Sequence, residues 1–218
     1  MEALSRAIPS FDWITLVIFL SLVFLAISKR FFYTRFQNFL ILPFNNKYIF
    51  MYNKKALLLN GFQIFFTLFQ VFNFALLIYL ASSVLMKTDA DQSPTTFLLI
   101  LGAILLFMIL KVMLQMGNGY VFNNTRVISD FIFKKLSYLN YSGMIMAVSN
   151  IILSYIYPHS RAVVFIAILL VLLINAVGWI TLIKNHQKLI TSYFFYFILY
   201  LCALEIAPLV LIVNALTF

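Results

Sequence analysis

The sequence predicts an all-α fold: a polytopic membrane bundle of six transmembrane helices with two interfacial segments on its cytoplasmic side. Composition is the first warrant, because 64% of the 218 residues are hydrophobic and 10% charged, whereas a soluble domain is about 45–50% apolar and about 25% charged. That excess, with a mean hydropathy of +1.04, makes lipid the solvent for most of the chain. Length is the second. A hydrocarbon layer of about 30 Å takes about 20 helical residues at about 1.5 Å each, and six apolar stretches reach that range: residues 11–28, 56–85, 96–116, 136–156, 162–183 and 192–216. The third is the placement of the basic residues, mostly in short segments between those stretches.

Taken in order, the first span runs into Lys29 and Arg30, with Ala26-Ile27-Ser28 loosely resembling a cleavage site. Pro9 and Asp12 stand where a signal peptide carries its positive region, so an uncleaved helix is expected. Residues 29–55 then mix aromatic rings with cations, in Arg30-Phe31-Phe32-Tyr33-Thr34-Arg35-Phe36 and again in Tyr48-Ile49-Phe50-Met51-Tyr52. Rings at headgroup depth beside Lys and Arg suit an anionic leaflet, so this segment is expected to lie on the inner face and to end on Lys54 and Lys55.

The second span carries Gln70 and Asn73, and a turn with Asp89 and Asp91 leads to the third. Residues 117–135 form the second expected interfacial segment, closing on Lys134 and Lys135. The fourth span holds Ser149 and Asn150, a Pro158 turn follows, the fifth holds Asn175, and Lys184 and Lys188 precede the sixth. No loop is long enough for a soluble domain, so residues 1–218 read as one integral membrane domain. A weak echo links Phe44-Asn45-Asn46 before the second span to Phe122-Asn123-Asn124 before the fourth; duplicated hairpins are one explanation, and ordinary Asn-rich helix starts the better one because the two motifs differ in spacing.

Charge sets the expected orientation. With the N-terminus outside, twelve of the 15 basic residues fall inside and Arg6, Lys87 and Arg161 outside, a bias that directs both termini away from the cytoplasm. The +9 net charge is therefore a topology signal, and no basic face or reader motif supports a nucleic-acid partner. The sequons at Asn123 and Asn140 fall on the inner side and are read as chance.

Glu205 is the sharpest chemical feature, thirteen residues from Ser192 and eleven from Leu216 in the sixth span. An ionised carboxylate at that depth costs about 2.5–3.5 kcal/mol or more, and no cation is expected beside it. Two roles stay open: a proton- or cation-binding carboxylate, or a neutral donor that hydrogen-bonds an amide on another helix. Pro208 follows on the same face and frees the carbonyl of Leu204. Gln70, Asn73, Asn150 and Asn175 place one or two amides on each of spans two, four and five. Those spans and the sixth are expected around a common polar axis, with the first and third at the lipid edge. Gly143 with Ala147, and Ala203 with Ala207, are spaced for close helix contact.

The exclusions are as informative. Two histidines, His159 and His186, and one cysteine, Cys202, form no metal-ligand spacing. No phosphate loop, HExxH or nucleophile elbow occurs, so neither a cofactor nor an enzymatic activity is expected.

The run from Phe194 to Pro208, with its Leu204-Glu205-Ile206-Ala207-Pro208 core, resembles the closing signature of an uncharacterised family of polytopic inner-membrane proteins from Bacteroidota, a domain of unknown function. The resemblance implies a Gram-negative inner membrane and no activity. On residues alone, the expected function is a non-catalytic scaffold or accessory subunit of an envelope assembly in secretion or transport. The alternative is a small proton-linked transporter or channel acting as a dimer. Its partners are membrane lipids and another membrane protein or a second copy, with Lys54, Lys55, Lys134 and Lys135 at the interface.

Overall fold

Proline placement delimits the helices. Pro43 and Pro158 stand in turns and Pro94 opens a helix, where its missing N–H and fixed φ do no harm, so the long apolar runs before residue 186 have no internal breaker. The computed structural model describes residues 12–45, 47–53, 60–86, 94–121, 125–158 and 160–185; the expected sixth span lies outside these residues. Among them the fold is all-helical: α1 (Asp12–Phe31), α2 (Tyr33–Leu40), α3 (Lys47–Asn53), α4 (Gly61–Met86), α5 (Pro94–Val121), α6 (Thr125–Ile151) and α7 (Arg161–Asn185). A single π-helical turn, Ile152–Ile156, ends α6, and the Tyr157 N–H donates back to the Ile152 carbonyl at 2.9 Å. Among the described residues five helices are long and apolar enough to cross a membrane, over Trp13–Phe31, Gly61–Leu85, Pro94–Gly117, Ile128–Ile156 and Arg161–Thr181.

Side-chain pairs fix the directions. Trp13 meets Tyr79, Phe24 meets Phe72 and Phe32 meets Phe62, at 5.1, 5.7 and 6.1 Å between ring centroids, so α1 runs antiparallel to α4. Phe131 meets Trp179 at 6.1 Å while Met146 packs with Ala167, so α7 runs antiparallel to α6. Thr67 pairs with Asn140 and Asn73 with Asn150, so α4 and α6 are parallel neighbours. They form the buried centre. Helices α5 and α7 flank it with broad apolar surfaces, Leu98, Leu99, Leu106 and Ile109 on one and Phe165, Ile166, Leu169 and Leu172 on the other.

This order gathers Lys29, Arg30, Arg35 and Lys47 at one end of the bundle, with the starts of α4 and α6, and leaves Arg161 at the other. Residues 33–53 do not simply lie flat there. Helices α2 and α3, with the turn after α2, direct Phe36, Phe39, Leu42, Tyr48 and Ile49 inward onto Phe62, Phe66, Phe69 and Phe133. Phe39 is the hub, with ring centroids 4.5 Å from Phe66, 5.3 Å from Tyr48 and 5.6 Å from Phe62; aromatic pairs of this kind contribute about 0.5–1.5 kcal/mol beyond area burial. The two helices thus cap the bundle, and their outer side exposes Phe31, Tyr33, Ile41 and Phe44 beside Lys29, Arg30 and Lys47.

Residues 117–135, the second expected interfacial segment, are not a separate element. Their start belongs to α5 and their end to the first turns of α6, with three residues between them. The physical reason is that Ile128, Ile132 and Phe133 continue the helical spacing of the residues that follow, so no signal stops the helix, and Ile132 and Phe133 are buried. Gly119 makes the tight return possible, since a Cβ there would sit 3.3 Å from the Thr125 Cα. The expected arrangement of spans is also revised. The first and third do lie at the edge, the first packing Ile14, Val17 and Ile18 inward while Leu16 and Phe19 stay exposed, but the fifth, α7, contacts chiefly α6 and is exposed along much of its length.

Candidate functional site

The parallel contact of α4 and α6 carries a line of buried polar groups inside an apolar bundle. Each rung is set by helical spacing, with Thr67, Gln70 and Asn73 three residues apart on α4, facing Asn140, Gly143 and Asn150 on α6. At the first rung the Asn140 amide donates to the Thr67 hydroxyl at 3.1 Å, and that hydroxyl lies 3.3 Å from Asn140 Oδ1, where it can donate in return. At the third, Asn150 Nδ2 donates to the Asn73 backbone carbonyl at 2.9 Å, with Asn73 Oδ1 at 3.4 Å, while Asn73 Nδ2 donates to the Phe69 carbonyl at 2.8 Å.

The middle rung is different. A Cβ on Gly143 would stand 2.9 Å from Gln70 Cβ and 3.0 Å from its Cα, so only glycine lets the two backbones come this close. Gln70 is fully buried there, and its amide has no hydrogen-bond partner among the described residues. A buried amide left without a partner costs about 1–3 kcal/mol; at Gln70 both amide atoms are in that position among the described residues, and at Asn150 the oxygen is.

Lysines form a second polar cluster where α5, α6 and α7 meet. Lys135 Nζ lies 5.1 Å from the Trp179 ring centroid and Lys111 Nζ 5.7 Å from the Phe107 ring. Lys134 is 6% exposed, and Asp130 one turn earlier supplies an opposite charge in the favourable i, i+4 relation. The sequence places Lys134 and Lys135 at a lipid or partner surface; because α6 begins at Thr125, they are carried into the bundle instead. In the cap, the Arg35 guanidinium stacks 4.3 Å over Tyr52. Burial pushes the Tyr48 phenol well above its ordinary range, opposed in part by Arg35 and by the Ser137 hydroxyl.

The structure thus brings Gln70, Asn73 and Asn150 together on one seam. It does not bring Asn175 there, whose amide donates to its own helix at the Val171 carbonyl, 2.8 Å away. Glu205, Pro208, Lys54 and Lys55 lie outside the described residues. Sequence reasoning missed Thr67, Asn140 and Lys111. Asn140 was legible as the start of an Asn140, Gly143, Ala147, Asn150 face, and Lys111 as a cation inside an apolar run. The buried Asn140 amide is committed to Thr67, which leaves it no role as a glycosylation acceptor. Among the described residues no group of His, Cys, Asp and Glu could hold a metal ion.

Residues 14–216 match the family model described as Domain of unknown function (DUF4271). No curated protein and no solved structure matches the chain.

Proposed function

The chain belongs to the DUF4271 family, and on that premise we propose that it is a non-catalytic integral scaffold or accessory subunit of a bacterial inner-membrane envelope assembly in secretion or transport. The observation that carries this reading is that the buried amides of Asn140 and Asn150 donate across to Thr67 and to the Asn73 carbonyl on the neighbouring helix, bonds that hold a bundle together rather than line a path. The broad apolar flanks of α5 and α7 and the aromatic, basic outer side of the cap supply surface for lipid and for a second membrane protein. In this reading both chain ends face the periplasm and the cap faces the cytoplasm, in line with the distribution of Lys and Arg. Purification of the full chain from its native membrane in mild detergent is the test. A stoichiometric partner is the expected result, and a lone homodimer would overturn the proposal.

A second reading, a proton-linked transporter or channel, is favoured by one observation, the buried Gln70 amide in the middle of the seam, which has no hydrogen-bond partner among the described residues. Substitution Glu205→Gln separates the two: a transporter loses proton-coupled uptake in proteoliposomes, whereas a scaffold keeps its partner.

A further inference from the structure

The cap stands where two spans leave the hydrocarbon. One crossing segment ends at Phe31 and the next begins at Gly61, so α2 and α3, which lie between them in the chain and pack on that end of the bundle, are at headgroup depth. Their outer side mixes exposed rings with exposed cations, Phe31 and Phe44 with Lys29, Arg30 and Lys47. We propose that this outer side binds the phosphate headgroup of an anionic lipid, the Arg35 guanidinium gripping the phosphate from its seat on the Tyr52 ring, with Phe31 and Phe44 among the acyl chains.

Arg35 is what separates a site from a charged surface. Its guanidinium carbon lies 4.3 Å from the centroid of the Tyr52 ring, a contact that ties α2 to α3 and leaves the N–H edges of the group for acceptors. The side chain is partly buried, so less of its rotamer freedom remains to be lost when an anion binds. Among the described residues no carboxylate competes for it. The chain has no Asp or Glu from Trp13 to Thr88; Asp12 opens α1 at the opposite end of that helix, and Asp130 stands one turn before Lys134 on α6. A guanidinium without a carboxylate matches a phosphate in shape as well as charge, because two of its N–H bonds run in parallel. The rings select the source of that phosphate. Phe31, Ile41 and Phe44 are 74%, 52% and 89% exposed, surface that a free phosphate leaves in water and that a lipid covers with its chains. The inference goes beyond the scaffold reading and holds for a transporter equally. It is tested on the purified chain alone, so failure to find a protein partner leaves it standing.

The test is native mass spectrometry of the full chain released from a non-ionic detergent, titrated with phosphatidylglycerol or with phosphatidylcholine of the same acyl chains. Phosphatidylglycerol is expected to bind at a concentration about tenfold below that needed for phosphatidylcholine, and Arg35→Lys, which keeps the charge and loses the fork, to weaken it about tenfold, on the scale of one charge-assisted hydrogen bond. Tyr52→Phe keeps the ring face and should bind as the wild type does. Circular dichroism checks the fold of each variant. Should Arg35→Lys unfold the chain, Tyr52→Leu, which removes the seat and keeps the guanidinium, takes its place with a loss in the same direction. A wild-type chain that holds both lipids equally would overturn the proposal whatever the variants do. So would full phosphatidylglycerol affinity in folded Arg35→Lys, which would leave only diffuse charge, or displacement of the lipid by an equal concentration of inorganic phosphate, which would assign the cations to a soluble anion.

Discussion

Substituting Gly143 by alanine tests the seam at its closest point. The added Cβ meets Gln70 Cβ at 2.9 Å, Cα at 3.0 Å and Cγ at 3.2 Å. Two of these atoms belong to the part of the residue that cannot rotate away, so relief requires α4 and α6 to separate, which stretches the Thr67 to Asn140 and Asn73 to Asn150 bonds on either side. Overpacking of this kind costs about 1–3 kcal/mol. At about 2–4 °C per kcal/mol for a chain of this size, the melting temperature in detergent should fall by about 2–12 °C. The assay is tryptophan fluorescence during heating, with Gly102→Ala as control. Gly102 lies on the exposed side of α5, where an added methyl would have nothing within 4 Å, and its substitution should be neutral or slightly stabilising because alanine is the better helix former. Gly178→Ala should destabilise as well: its Cβ would meet Tyr138 Cγ at 2.7 Å and Tyr138 Cβ at 2.9 Å, and the second of these cannot rotate away. Equal melting temperatures for the Gly143 and Gly102 variants would refute the close-contact account of the seam.

Three further outcomes follow from the same structure. Thr67→Val and Asn140→Leu should show a coupling of about 0.6 kcal/mol in a double-mutant cycle read by thermal melting, the average for interhelical bonds in membranes, and independent costs would mean the reciprocal pair is not formed. Burial raises the Tyr48 phenol well above its ordinary range, so the folded state holds a proton that the unfolded state loses above about pH 10; its contribution is complete below that pH and fades above it. Melting temperature should therefore decline as pH rises past about 10, and Tyr48→Phe should flatten that decline. Replacing Lys29, Arg30 and Lys47 together by Gln should reduce co-purified anionic lipid, at about 1 kcal/mol per residue removed from an anionic leaflet, while Lys134→Gln, at a buried position, should lower stability without releasing lipid; equal lipid loss in both would contradict the inward placement of Lys134.

The reading of solvent, helix content and most span positions needs only the sequence, because crossing a bilayer is a one-dimensional requirement of length and hydropathy. Residues 56–85 and 96–116 contain or nearly coincide with the spans at Gly61–Leu85 and Pro94–Gly117 for that reason. Gln70, Asn73 and Asn150 are equally visible, since an amide in an apolar run stands out before its partners are known. Where each side chain points is decided by packing. Whether α4 lies beside α6, and which turn of one meets which turn of the other, depends on Gly143 against Gln70, a contact between two residues far apart in the chain. The cap reads as interfacial from its aromatic and basic residues, and one face of it is exposed; the other face is core because Phe36, Phe39 and Tyr48 find Phe62 and Phe66 across the chain. Lys135, by its place in the sequence, looks like a headgroup residue at the mouth of a span. It is an interior one because nothing between Thr125 and Ile151 stops the helix, so α6 starts at Thr125 rather than near Leu136 and turns the same lysine toward Trp179.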